Sequence, residues 1–336
     1  MVKMPKKVIF LLIVFVAVGL LLLFSAMTAN RTARKAISAP TFILYPVEKQ
    51  PQSFDFSKTQ SANFPKVLPA YKVEKKGLTG SEAASILQFF NITSRPRFIN
   101  NNSPDGPQYS WEEKEASLSL SLTTLSFESL AKNSPVQALS EEQLSQGAAS
   151  YIRQIPLAGQ STQNLAPSSP KTTYLQVTND QYQIVDSFAA STMVEFAFEE
   201  RLNNLAVVGQ TPSIPMATVR MTKDGSVRML YLRFFKEFAA LDSYRLKSVN
   251  EAKREVTKGQ GKIVDITTVD ENGRALTKPS FETFEGKTVK ISQIRLAYFL
   301  PENLDEPVQP IFVFEGEFEK DGESGKIAIY LPAIKN

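Results

Sequence analysis

Val219-Arg-Met-Thr-Lys-Asp-Gly-Ser-Val-Arg-Met-Leu-Tyr231 reads as two strands and the turn between them. Val219 and Met221 alternate with polar residues before Asp224-Gly225, and Val227, Met229 and Tyr231 resume the alternation after it. A period of two puts successive side chains on opposite faces of a strand, and Asp-Gly supplies the positive φ that a hairpin needs. Similar text lies on both sides. Upstream, Leu118, Leu120 and Leu122 alternate with serines, and Leu125 and Phe127 continue after a shift of phase. Tyr174, Leu175 and Val177 follow, then Met193, Val194, Phe196 and Phe198. Downstream come Ile263 to Val269 with Asn272-Gly273 behind it, then Ile291, Ile294, Leu296 and Tyr298. Ile311 to Phe318, Asp321-Gly322 and Ile327 to Leu331 close the chain.

Helices are few. Three segments open with a capping box, a hydroxyl residue followed three positions later by Glu or Gln: Thr79 with Glu82, Ser140 with Gln143, and Ser248 with Glu251. Ala83, Ala84, Ile86, Leu87, Phe89 and Phe90 build an apolar face after the first box. Leu144, Ala148, Tyr151 and Ile152 do so after the second, and Ala252 and Val256 after the third, which stops at Gly259. The expected fold class is therefore α+β, with short helices packed on antiparallel sheets. We expect two similar modules, a first over 70–139 and a larger second over 140–336.

The chain opens differently. Lys3, Lys6 and Lys7 precede an uncharged apolar run, Val8 to Phe24, of 17 residues. At about 1.5 Å per residue the run spans about 26 Å, and extension through Met27 reaches the roughly 30 Å of a hydrocarbon core. The expectation is a cytoplasmic tail (1–7), a transmembrane signal anchor (8–27) and a polar spacer (28–69) punctuated by Pro40, Pro46, Pro51, Pro65 and Pro69. A cleaved signal peptide is the rival reading. The run exceeds the roughly 7–15 residues of a signal core, Arg31, Arg34 and Lys35 follow closely, and the small-residue site near Ala26, Met27 and Thr28 is poor. The body beyond the anchor is expected outside the cell membrane, as a single-pass protein.

Composition narrows the chemistry. The 336 residues are 43% hydrophobic and 21% charged, enough for real cores. The formal charge of +4 does not signal nucleic acid. Six of the 38 Lys and Arg lie in the first 35 residues, and from residue 36 onward 32 basic side chains meet 34 acidic ones. With no His and no Cys, mechanisms built on Ser-His-Asp, Cys-His or histidine- and thiolate-bound zinc have no residues to use. No cofactor is expected.

Several constellations deserve weighing. Ser129 with Lys132, and Ser168 with Lys171, have the Ser-x-x-Lys spacing of penicillin-recognising enzymes, but no Ser-Asp-Asn or Lys-Thr-Gly accompanies them. Glu112-Glu113, Glu141-Glu142 and Glu199-Glu200 offer carboxylates for glycan hydrolysis, which needs two of them about 5–10 Å apart. Neighbours on a strand point to opposite faces, so a site must combine distant acids. Gly286-Lys287-Thr288 lacks the first glycine of a phosphate loop, since Phe281 stands there. Asp270, Asn272 and Gly273 resemble part of a calcium loop, yet no Glu closes it where Lys278 and Pro279 stand. Asn91-Ile-Thr93 and Asn101-Asn102-Ser103 are glycosylation sequons only in a eukaryotic secretory route. No catalytic, cofactor-binding or metal residue is assigned.

From about residue 140 the order of features is more specific. Glu195-Phe-Ala-Phe198, the stretch Asn203 to Val208, Asp224-Gly225, and Tyr244-Arg-Leu-Lys-Ser-Val-Asn-Glu-Ala252 come first. Gly259-Gln-Gly261, Leu296-Ala-Tyr298, and Val308-Gln-Pro-Ile-Phe-Val-Phe-Glu-Gly316 follow. This order resembles the YycH/YycI-type extracytoplasmic regulators that accompany an essential cell-wall histidine kinase in Gram-positive bacteria, and more loosely PepSY-like modules. The resemblance implies one amino-terminal anchor helix, an outer α+β domain without an active site, and regulation by contact. The leading expectation is thus a non-catalytic, membrane-anchored regulatory or protein- and peptide-binding protein, which modulates an envelope sensor kinase or protease. Its partners are the membrane and another envelope protein. The alternatives are a carboxylate glycan hydrolase and an assembly subunit that adds strands at an exposed sheet edge.

Overall fold

The structure, a computed structural model, describes residues 37–43, 51, 53–61, 63–75, 78–100, 107–129, 138–157, 171–178, 181–210, 212, 215–269, 288–320 and 323–335. Residues Ala39–Lys335 form one compact unit, rich in sheet and poor in helix. The Val8–Phe24 run lies outside the described residues, among which no helix is long and apolar enough to cross a membrane.

The Asp-Gly hairpin sits at the centre of the first sheet. Strands β13 (Ala217–Thr222) and β14 (Val227–Arg233) are joined by a turn in which Gly225 takes φ 87° and its N–H donates to the Thr222 carbonyl at 2.9 Å. Asp224 accepts the Ser226 N–H at 3.0 Å. On one side β13 pairs with β10 (Met193–Phe198), then β8 (Lys171–Thr178) and β9 (Gln181–Val185). On the other side β14 pairs with β7 (Thr124–Ser129), then β6 (Ala116–Leu120), β5 (Gln108–Glu112) and β4 (Arg97–Asn100). All nine strands run antiparallel. The phase shift between Leu122 and Leu125 is the β6–β7 turn, held by the Ser121 N–H on the Thr124 carbonyl at 2.9 Å.

Register puts Leu118, Leu125, Phe127, Leu230, Val219 and Phe196 on one face, all buried. Two helices cover it: α1 (Gly80–Phe89) and α2 (Glu141–Gln154). Phe90, just past α1, lies 4.5 Å between ring centroids from Phe127, and Phe89 lies 5.2 Å from Tyr151 of α2. Burial pushes the Tyr151 hydroxyl up to about 12. Gly147 of α2 faces Met221 of β13, so the helix comes close where it has no side chain. The opposite face keeps Ser117, Ser126 and Glu128 in solvent.

The second sheet has eight strands. Its spine is β12 (Leu205–Val208), β17 (Thr288–Phe299), β18 (Gln309–Lys320), β19 (Glu323–Pro332) and β16 (Lys262–Val269), with β11 (Arg201–Leu202) beyond β12. Two short strands, β1 (Ser53–Asp55) and β2 (Gln60–Ser61), also pair with β17. Here the expectation of purely antiparallel sheets needs correcting, because β1, β2 and β12 run parallel to β17. Parallel neighbours need long connections, and many residues separate each of these strands from β17. Residues 53–55 and 60–61, within the stretch read as a spacer, are thus strands of this sheet.

Both faces of this sheet are covered. On one, Phe42 packs edge-on against Phe299 at 4.9 Å and Tyr330 at 5.6 Å, over a core that includes Val264, Ala297, Ile311 and Val313. On the other lies α3 (Val249–Thr257), with Ala252 and Val256 buried. Gly261 leaves so little room between Val256 and Ile329 that an added Cβ would stand 2.7 Å from Ile329. A two-stranded ribbon, β3 (Val67–Glu74) with β15 (Glu237–Arg245), docks by the reciprocal Tyr71 and Val308 backbone bonds, 2.9 and 2.8 Å. Asn203 and Asn204, at φ 49° and 63°, form the tip between β11 and β12, and the Asn203 amide donates to the Tyr71 hydroxyl at 2.8 Å. Tyr298 donates to the Pro69 carbonyl at 3.0 Å, and burial holds its hydroxyl well above the usual phenol range.

All three capping boxes form. Thr79, Ser140 and Ser248 each accept the N–H of the residue three positions on, and Glu82, Gln143 and Glu251 each return a bond to the cap N–H. Glu251 also meets Lys335 at 2.6 Å.

Strand β7 lies before the boundary expected at residue 140 and β14 after it, yet Leu230 of β14 faces both Phe127 and Val219. Leu230→Ala should cost about 2–5 kcal/mol, as for other buried Leu truncations. Hydrogen exchange should then quicken together in 116–129 and 193–233. Faster exchange on one side alone would mean that the two halves open independently.

Candidate functional site

The residues singled out in sequence do not converge. Ser129 ends β7 and Lys171 opens β8, while Lys132 and Ser168 lie outside the described residues. So do Asp270, Asn272, Gly273, Gly286, Lys287 and the sequon Asn101-Asn102-Ser103. Thr288 opens β17 and shares a 2.7 Å hydrogen bond with the Ser53 hydroxyl. Asn91 of the other sequon stands at φ 54° just beyond α1, a left-handed helix end that Asn tolerates.

The acidic pairs each have a local task. Glu112 is exposed, and Glu113 accepts the N–H groups of Thr93 and Ser94, both at 2.7 Å, so it ties the loop after α1 to the end of β5. Those backbone bonds, Thr93 first, hold the Glu113 carboxyl below the usual range. Glu141 and Glu142 sit in the first turn of α2, where the helix dipole favours negative charge. Glu141 accepts the Tyr174 hydroxyl at 3.0 Å, and that bond raises the phenol. Glu199 is exposed, 3.9 Å from Arg201, whereas Glu200 beside it is fully buried. Among the described residues no three metal-ligating side chains cluster.

What the fold does present is sheet ends, and they differ. An edge strand offers unpaired N–H and C=O groups to any passing strand, so proteins blunt edges with charge, proline, bulges or brevity. At one end of the nine-stranded sheet β4 carries Arg97, follows Pro96 and shifts register between Phe98 and Asn100. In the eight-stranded sheet β16 carries Lys262 and Asp265 and shifts register between Ile263 and Asp265. Strand β11 is two residues long and includes Arg201.

Strand β9, Gln181-Tyr-Gln-Ile-Val185, has none of these devices. It has five residues with no charge and no proline, and its register with β8 is unbroken from Tyr174↔Val185 to Thr178↔Gln181. Tyr182 is 47% exposed and Ile184 51%. The Leu175 carbonyl accepts the Thr192 N–H, and the Val177 N–H donates to the Thr192 hydroxyl, so 175 and 177 face β10. By alternation Tyr174, Gln176 and Thr178 face β9 and bind Val185, Gln183 and Gln181. The backbone groups of Tyr182 and Ile184 are left pointing outward. The Tyr182 ring is also held. Arg220 lies over it at 4.8 Å and is fixed in turn by Glu195 at 2.6 Å. Sequence reasoning raised an exposed edge only in general terms. The alternation of Tyr182 and Ile184 between glutamines was a usable signal, but which strand ends a sheet follows only from topology.

No family model matches the chain, and no curated protein matches it. A crystal structure of an uncharacterized protein from Eubacterium rectale matches at 10% identity and a TM-score of 0.46, covering 82% of this chain and 85% of that one.

The Glu113 arrangement has a pH signature. A depressed carboxyl contributes stability that is fully present above its unfolded value, near 4.5, and is lost as pH falls through its folded value. Glu113→Gln should therefore lower the thermal midpoint at neutral pH, by an amount that stays constant down to about 5 and shrinks below 4.5. Midpoints measured from pH 7 to 3 check this. A gap that is constant throughout would remove the charge from the explanation.

Proposed function

We propose that this chain is a single-pass membrane protein whose outer body works by contact, without chemistry of its own, as a regulatory or protein-binding module of the cell envelope. The observation that carries the binding role is strand β9, an edge with five residues, no charge and two outward-facing peptide units. The location rests on Lys3, Lys6 and Lys7 before the Val8–Phe24 run. Residues 1–7 then form a cytoplasmic tail, 8–27 the anchor, and the sheets stand outside. Absence of His and Cys and the dispersed acidic pairs support a non-catalytic reading. The resemblance to YycH/YycI-type regulators makes a sensor kinase, or a protease, the natural target of control.

The missing cysteines make topology easy to test. Met4→Cys and Ala189→Cys each introduce the sole thiol. A membrane-impermeant maleimide should label the second in intact cells and the first only after lysis. Labelling of neither, or of both, before lysis would refute the topology. A photoreactive residue at Gln183 should give a cross-linked species of discrete mass in the membrane fraction, and no such species would count against contact through β9.

A further inference from the structure

We infer that residues 53–61, with Phe64, form a releasable latch: they fill in cis a strand-docking site along the margin of β17, and they leave it without unfolding the rest of the sheet. The inference goes beyond the contact-based reading above and does not depend on it. Strand β17 pairs on one side with β18, from Lys290↔Glu317 to Phe299↔Gln309. Its other side is filled piecewise, by β1 at Thr288 to Lys290, by β2 at Gln293 and Ile294, and by β12 at Tyr298 and Phe299. Between β1 and β2 the Thr59 hydroxyl donates to the Ile291 carbonyl at 2.7 Å, so one short segment serves the whole margin from 288 to 294. The same part of the chain touches both faces. Phe42 packs on the face that carries Phe299 and Val313. By alternation Phe312 and Phe314 point the other way, and there Phe56 meets Phe314 at 6.3 Å and Phe64 meets Phe312 at 5.8 Å, both edge-on.

The latch is lightly held. Strand β1 has three residues and β2 two, and parallel pairs are slightly weaker per residue than antiparallel ones. None of residues 53–59 is fully buried, and Ser53, Ser57 and Lys58 are exposed. What lies beneath is different: Val289, Ile291, Ile294, Phe312 and Phe314 are all buried. Segments with few buried apolar contacts open before those with many, and the long ladder to β18 keeps β17 in place when the latch leaves. Position in the chain adds a reason for release. Among the described residues β1 is the first strand after the Val8–Phe24 run, so a displacement of the amino-terminal part reaches it before any other strand. The latch also shows what the uncovered margin would accept. It is an extended parallel segment with a hydroxyl at Ser53, bonded to Thr288 at 2.7 Å, and aromatic rings two residues apart at Phe54 and Phe56.

The test uses the full chain in detergent. In the unaltered protein, hydrogen exchange in residues 53–61 should run at least about tenfold faster than in 309–318. Ser53→Cys with Thr288→Cys puts two thiols where the hydroxyls stand 2.7 Å apart, in a chain with no other cysteine. Oxidation should slow 53–61 to the rate of 309–318, and reduction should restore it. Phe56→Ala should quicken 53–61 by about tenfold and leave 309–318 unchanged. A fluorescent peptide with the sequence of residues 53–61, read by anisotropy, should bind the Phe56→Ala chain at least about tenfold more tightly than the unaltered chain, whose site is already filled. The same peptide with alanine in place of both phenylalanines should bind neither. Should Phe56→Ala fail to fold, the double-cysteine chain makes the same comparison, its reduced form binding the peptide more tightly than its oxidised form. Exchange in 53–61 as slow as in 309–318, equal quickening of both by Phe56→Ala, or equal binding of the peptide by loosened and closed chains would overturn the inference. None of these measurements depends on where the anchor lies, so an error about the latch and an error about the topology can be told apart.

Discussion

The ladder between β7 and β14, from Glu128↔Met229 to Thr124↔Arg233, is the pairing on which the rest of the molecule depends. It joins residues about a hundred positions apart in a chain that has no cysteine to help close the loop. The entropy of that closure has to be offset by burial, and Leu125, Phe127, Leu230 and Leu232 are all buried along the seam. The Phe234 N–H, donated to the Thr123 carbonyl at 2.9 Å, extends the seam past the last ladder pair. With the two halves joined, α1 and α2 share one apolar floor, and Phe89 and Phe90 meet Tyr151 across it. The ladder therefore also decides which strands become ends, because a sheet continuous from β4 to β9 has only those two.

The eight-stranded sheet handles exposure differently. Phe42 and the segment around it close one face, while α3 and the β3–β15 ribbon close the other. Its margins are short or charged. Lys247 strengthens the closure by donating to Glu255 of α3 at 2.7 Å and to the Pro332 carbonyl at 3.0 Å, which binds the helix to the end of β19. A sheet so enclosed can serve as scaffold but has little unsatisfied backbone to offer. Among the described residues, β9 ends the other sheet as an uncharged strand.

Local signals in the sequence were strong where the physics is local. Each capping box needs only residues within one helical turn, and all three form. Asp224-Gly225 fixes its own turn through one positive φ. Alternation at Leu118, Leu120, Leu125 and Phe127 correctly marked a buried face, though the phase shift concealed a hairpin. Asn203-Asn204 was legible in principle, since both residues favour the left-handed region that a two-residue hairpin needs. Pairing between distant strands was not legible. Nothing near Thr124 announces Arg233 as its partner, and nothing near Ser53 announces Thr288, because pairing partners are set by the whole fold. The prolines from Pro40 to Pro69 suggested a spacer, yet Ser53–Asp55 and Gln60–Ser61, too short to show a period, pair with β17. The candidate site suffers the same limit. The text of β9 is visible in sequence, but its place at a sheet end is not.

A strand edge suits a protein of this composition. Backbone hydrogen bonding at such an edge needs no special side chain. The weakness of such recognition is promiscuity, because every extended segment carries the same N–H and C=O groups. Side chains must supply the discrimination. Tyr182 is held by Arg220, and Arg220 by Glu195, so the ring is oriented before any partner arrives and little freedom remains to be lost on binding.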